Sequence, residues 1–139
     1  MKIFNKFKYV YHFIQGKNYL SEKNIVDALC EFNIAKIYND NDYELYIYKG
    51  LSEFLLKEFE NAMITYQYAL NLIDKNKKLN FDAKQYLKKY ILEDLLQIFQ
   101  ILQKYENIEK YSKLYNNLKF NKNNIKEKIF KDFPHSISP

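Results

Sequence analysis

The run Phe59-Glu60-Asn61-Ala62-Met63-Ile64-Thr65-Tyr66-Gln67-Tyr68-Ala69-Leu70 decides the fold. Extended to Ile73, its apolar positions Phe59, Ala62, Met63, Tyr66, Ala69, Leu70 and Ile73 recur every three or four residues. That spacing makes one stripe along a helix. Stepping back 34 residues from Ala62, Tyr66 and Ala69 lands on Ala28, Phe32 and Ala35, and the only two glycines, Gly16 and Gly50, are also 34 apart. Small residues at a fixed period let helix axes approach, and an aromatic four positions later fills the space beside them.

A period of 34 with these residue types resembles the tetratricopeptide repeat, whose pattern is W-x2-L-G-x2-Y, then A-x3-F, then A and P. Gly16, Tyr19, Ala28, Phe32 and Ala35 fall on it in register, as do Tyr46, Gly50, Phe59, Ala62, Tyr66, Ala69 and Leu70. A looser third unit shows in Tyr105-Glu106-Asn107-Ile108, which echoes Phe59-Glu60-Asn61-Ala62 at a spacing of 46, with Leu96 in place of Gly and Ile108 in place of Ala. Asp40 and Asp74 stand where the family often has Pro. The resemblance spans roughly residues 9–118 and implies an all-α fold, a right-handed α-α superhelix with two clear repeats, a degenerate third and a C-terminal capping helix.

Seven helices are expected, at about 3–19, 22–38, 42–56, 59–75, 82–103, 105–118 and 124–132. Ser21 is the expected cap of the second, the run Asn39-Asp40-Asn41-Asp42 supplies the third, and Asn80 or Asp82 starts the fifth. Asn121, Asn123 and Asn124 break the chain before the last helix, which carries Ile125, Ile129, Phe130 and Phe133. One domain over 1–133 with a frayed tail at 134–139 is the expected organisation.

In the family the first helix of each unit lines a concave face. Carried over by position, a partner-binding groove would present Phe13, Lys17 and Leu20, then Ile47, Tyr48, Leu51 and Phe54, then Tyr90 and Gln97 with Glu93, Asp94 and Gln100. Phe13, Tyr48 and Asp94 replace key positions of the carboxylate clamp that some relatives use, which argues against clamping a peptide terminus. The helix at 43–56 is apolar on nearly every side, and its polar stripe is Lys49, Glu53 and Lys57, with Lys49 and Glu53 at positions the family usually fills with buried Leu and Tyr. Such a helix is normally buried all round. Either Ile47, Leu51 and Phe54 are ordinary core in a re-angled repeat, or they await a cover: a partner segment, the chain's own C-terminal helix, or a second copy.

Catalytic chemistry is not legible. His12 and His135 are far apart, and His12 occupies an aromatic position of the first repeat, where it is expected to pack. No Cys/His cluster has metal spacing, no glycine-rich loop exists, and Cys30 reads as a buried inert thiol. Neither an enzyme, a cofactor nor a metal is expected. The net charge is +5, and the basic residues are all Lys. Arg is the preferred reader of phosphate and guanine, so its absence argues against a dedicated nucleic-acid binder. Lysines at 75–89 interleaved with Tyr86 and Tyr90 keep a basic nucleic-acid accessory protein as the alternative. No apolar run is long enough to span a membrane, and a lone cysteine with no leader pattern points to the cytoplasm. The expected function is protein or peptide binding, as a chaperone, immunity or regulatory adaptor, with a homodimer as one form of partner.

Overall fold

Lys23, Lys57 and Gln103 adopt left-handed backbone conformations, with φ of 64°, 63° and 57°, and each joins two helices in the computed structural model. The structure describes residues 2–125. They form six α-helices: α1 (Ile3–Ser21), α2 (Ile25–Tyr38), α3 (Tyr43–Leu55), α4 (Phe59–Lys75), α5 (Phe81–Ile101) and α6 (Tyr105–Asn116), followed by a 3-10 turn at Lys122–Asn124. No strand occurs among the described residues, so the fold there is all-α.

The α1–α2, α3–α4 and α5–α6 turns close in one way. The residue after the left-handed one donates its N–H to the carbonyl five positions back: Asn24 to Tyr19, Glu58 to Glu53 and Lys104 to Phe99, each at 2.8 Å. The left-handed residue itself donates three positions back, to Leu20, Phe54 and Gln100, at 3.0, 3.0 and 3.2 Å. These paired bonds satisfy the last carbonyls of the first helix and stop it. The turns recur at intervals of 34 and then 46, the intervals of the sequence echoes. A side chain in this conformation costs about 1–2 kcal/mol that glycine avoids. Lys57→Gly should therefore raise stability by about 1 kcal/mol, measured as a higher midpoint in urea unfolding.

Contacts divide the chain into two compact units, with the division in sequence between Ala69 and Leu70, inside α4. The first is organised by aromatic rings against small residues. Phe32 on α2 is fully buried, and a Cβ added to Gly16 on α1 would stand 2.4 Å from its ring. A Cβ added to Gly50 on α3 would stand 2.7 Å from the ring of Tyr66 on α4. The same glycine–aromatic contact is thus made twice, 34 residues apart, with Ala28, Ala35, Ala62 and Ala69 all fully buried alongside. Gly16→Ala should destabilise despite the better helix propensity of Ala. Overpacking costs about 1–3 kcal/mol against a propensity gain of about 1, and the second change Phe32→Leu should recover part of the loss in a thermal melt.

Asp42 ties the first unit's helices together. One carboxylate oxygen accepts from the Glu44 N–H at 2.9 Å and caps α3, as expected of the 39–42 run, and the other accepts from the Tyr9 hydroxyl on α1 at 2.5 Å. Burial, then the Asp42 carboxylate, pushes the Tyr9 phenol well above its ordinary range. Ser21 is not the cap of α2. It is the last residue of α1 and donates to the Asn18 carbonyl at 2.8 Å, and α2 begins at Ile25 because the left-handed turn takes up residues 22–24.

In the second unit, Asn80 caps α5 by accepting from the Ala83 N–H at 2.8 Å. The buried stripe of α5 is Ala83, Tyr86, Leu87, Ile91, Leu92, Leu95, Ile98 and Phe99, and Phe99 packs on Tyr111 of α6 with ring centroids 4.9 Å apart. Leu96 and Ile108, which stand for the Gly and Ala of the third sequence unit, are only half-buried, and α6 has no fully buried residue. After α6 the chain returns to the start of α5. Asp82 accepts from the Asn121 N–H at 3.1 Å and from the Asn124 side-chain amide at 2.9 Å, and the Phe120 ring lies 5.2 Å from that of Tyr86. The helix expected at 124–132 lies, after Ile125, outside the described residues, as do His135 and the tail.

Candidate functional site

The residues expected to line a groove are mostly interior. Phe13, Leu20, Ile47, Tyr48, Leu51 and Phe54 are buried, while Lys17 and Tyr90 are half-buried and Gln97 is exposed. Nine of the thirteen residues of α3 are buried, the usual state of a helix apolar all round. Phe13 and Tyr48 form an aromatic cluster with Phe32, with centroids 5.6–6.0 Å apart, and the Lys17 ammonium lies 4.8 Å from the Phe13 ring centre. Tyr90 instead belongs to the second unit, where its hydroxyl is 2.8 Å from that of Tyr86.

The apolar surface that does meet solvent is on α1. Ile3, Phe4, Phe7, Val10, Tyr11 and Ile14 are 42–74% exposed. Positions 3, 7, 10 and 14 make a seam at alternating spacings of four and three, about 120° round the helix from the buried Tyr9, Phe13, Gly16 and Leu20. At about 100° per residue, Lys6 borders the seam on one side, and on the other Lys8 lies beyond Phe4 and Tyr11, its ammonium 5.3 Å from the Tyr38 ring centre of α2. No acidic residue occurs in α1. The signal for this second face lay in the sequence as a four-three-four spacing, but the repeat register drew attention to the inward positions alone. Tyr11 and Ile14 stand 34 residues before Leu45 and Tyr48 of α3. Those two are buried, and the Tyr48 ring meets Phe13 edge to face and Phe32 at a tilt, both on the preceding helix pair.

A second feature of the first unit is a cleft of about 600 Å³ among α2, α3 and α4. Its floor is Tyr46, Lys49 and Glu53, one face of α3, so the polar stripe that looked anomalous in the sequence faces this cleft. Leu29 and Lys36 wall one side, Ile64, Thr65 and Tyr68 the other, and Asp40 and Glu58 contribute carboxylates. Lys49 donates to Glu53 Oε2 at 2.9 Å, with the two side chains only 12% and 5% exposed, and lies 3.5 Å from the Thr65 hydroxyl. Glu53 Oε1 is buried with no hydrogen-bond partner. Tyr46 and Tyr68 meet edge to face at 4.6 Å. Burial first, then the neighbouring Tyr68 and Asp40, pushes the Tyr46 phenol up to about 12. Because the folded value is raised, stability linked to Tyr46 is fully present below the ordinary tyrosine range and declines as pH rises toward about 12. A spectrophotometric phenolate titration should show a late step near that pH, absent from Tyr46→Phe.

His12 does pack, stacked on Tyr38 at 6.2 Å, and its Nδ1 is also 2.6 Å from Glu31 Oε2. Cys30 is exposed, not buried. Of the 75–89 lysines, Lys88 pairs with Asp74 and Lys84 donates to the Asp74 carbonyl at 2.9 Å, while Tyr86 is buried under Phe120 and so offers no free face for a base. Among the described residues no group of three or more His, Cys, Asp or Glu is placed to hold a metal ion, and no helix is long and apolar enough to cross a membrane. No family model, curated protein or solved structure matches the chain.

Proposed function

We propose that this chain is a non-enzymatic helical-repeat module of tetratricopeptide type that binds a helical segment of another protein in the cytoplasm. The observation that carries the reading is the exposed seam of α1. At the matching positions of α3, Leu45 and Tyr48 bury themselves, Tyr48 against the helix pair before it; on α1 the corresponding Tyr11 and Ile14 are exposed, with Ile3, Phe7 and Val10 continuing the line. A contiguous apolar face of this kind on an ordered helix marks an interaction surface. The duplicated glycine–aromatic contacts support the repeat reading, and the exposed, unpaired Cys30 fits a reducing compartment.

Charge selects the partner. With Lys6 on one border, Lys8 further round on the other side and no carboxylate in α1, the fitting occupant is an amphipathic helix with an apolar seam and acidic margins. Pairing α1 with a second copy of itself would set lysine against lysine.

The test is a titration of the protein that co-purifies under native conditions, once identified, against wild type and Phe4→Glu/Phe7→Glu. Both side chains are exposed, so the melting temperature should hold while affinity falls at least tenfold. Unchanged affinity overturns the reading. So does a chain that binds only RNA, with affinity collapsing as salt rises, or that runs as a dimer dispersed by the same substitutions.

A further inference from the structure

We propose that the cleft above Lys49 and Glu53 is a binding site for a guanidinium group. It is separate from the α1 seam, and either can fail without the other. The unmet valence in the cleft is an acceptor: Glu53 Oε2 is taken by Lys49, and Oε1, in a side chain 5% exposed, has no partner. A buried carboxylate oxygen left unpaired is costly, and a ligand N–H removes that cost. The terminal torsion of Glu is broad and soft, so a small turn presents Oε1 to the cleft that its side chain lines.

Charge and shape narrow the donor. Three carboxylates, those of Asp40, Glu53 and Glu58, face two lysines, Lys36 and Lys49, and Lys49 is already committed to Glu53. A cation corrects that imbalance and an anion worsens it. Tyr68, 38% exposed and packed edge to face on the buried Tyr46, adds aromatic surface beside the carboxylates, while the Lys36 ammonium already lies 5.9 Å from the Tyr46 ring centre. A planar, weakly hydrated guanidinium stacks on such rings while its fork of N–H groups reaches oxygen, a combination a compact ammonium serves less well. No cluster here suits a metal ion. The group could come from an arginine of a bound polypeptide or from a free guanidino compound.

Two probes separate these sources: acetyl-Ala-Arg-Ala-amide and methylguanidinium, each titrated into isotope-labelled full-length protein, with acetyl-Ala-Leu-Ala-amide as control. The Arg peptide and methylguanidinium should shift the same resonances, those of Tyr46, Glu53, Thr65 and Tyr68, and the Leu peptide none. Tighter binding of the Arg peptide assigns the site to a polypeptide side chain, and tighter binding of methylguanidinium to a free compound. Glu53→Gln should weaken the preferred probe about tenfold, the loss expected of a charged hydrogen bond. Should that variant fold poorly, Tyr68→Ala at the more exposed wall should still weaken it several-fold. No shift from either guanidinium probe at millimolar concentration, or shifts indifferent to both substitutions, overturns the proposal.

Discussion

Phe32→Ala is expected to destabilise the first unit by about 3–5 kcal/mol, the range for deleting a fully buried aromatic ring. The ring does more than occupy volume. It covers the bare face of Gly16, meets Phe13 and Tyr48 at 6.0 Å, and has no exposed surface. Neighbours cannot easily collapse into the space, because Gly16 has no side chain to swing in and Ala28 and Ala35 have only methyls. The cost should therefore fall in the upper part of the range. Tyr66→Ala, at the equivalent site over Gly50, should lose a similar amount. Urea unfolding followed by circular dichroism measures both, and a loss under 1 kcal/mol at either would show that the ring is not a keystone of its helix pair.

Lys49→Met should cost a comparable 3–5 kcal/mol, for an electrostatic reason. The substitution conserves most of the apolar stem but strands the Glu53 carboxylate, whose other oxygen is already without a partner. The double change Lys49→Met/Glu53→Leu removes both charges and should restore stability to wild type or exceed it by about 1–4 kcal/mol, since a buried pair seldom outperforms well-packed apolar residues. A double-mutant cycle reads the coupling directly. If the single change melts like wild type, Lys49 is not neutralising Glu53. Restored stability in the double variant would also mean that the polar pair is kept for something other than holding the fold.

The all-α architecture was legible because two kinds of signal coincide. Three- and four-residue apolar spacing marks helices, and the repetition of Gly16 and Phe32 at Gly50 and Tyr66 marks how they pack. The helix starts at Tyr43 and Phe81 were legible because Asp42 and Asn80 carry oxygen acceptors at the right place. The start of α2 was misplaced because its turn is set by Lys23 in a left-handed conformation, and lysine advertises no such preference. The site was less legible. Family geometry directs attention to an inner face, but here Ile47, Leu51 and Phe54 are interior. The exposed line on α1 and the cleft at Glu53 follow from which face of each helix the neighbours leave uncovered, and periodicity does not say which of two apolar faces will be covered. Lys49 and Glu53 did stand out, as charges inside an apolar helix.

Asp82 uses both its oxygens, and Asn80 both ends of its amide, on the first turn of α5 and the segment that comes back to it. That pair of residues acts as a latch, fastening two stretches some forty positions apart and shutting the Tyr86 ring beneath Phe120. Fraying at one end of the second unit is thereby fraying at the other. A protease cutting at Lys119 or Lys122 would not merely trim the chain: it would unfasten the opening of its longest helix.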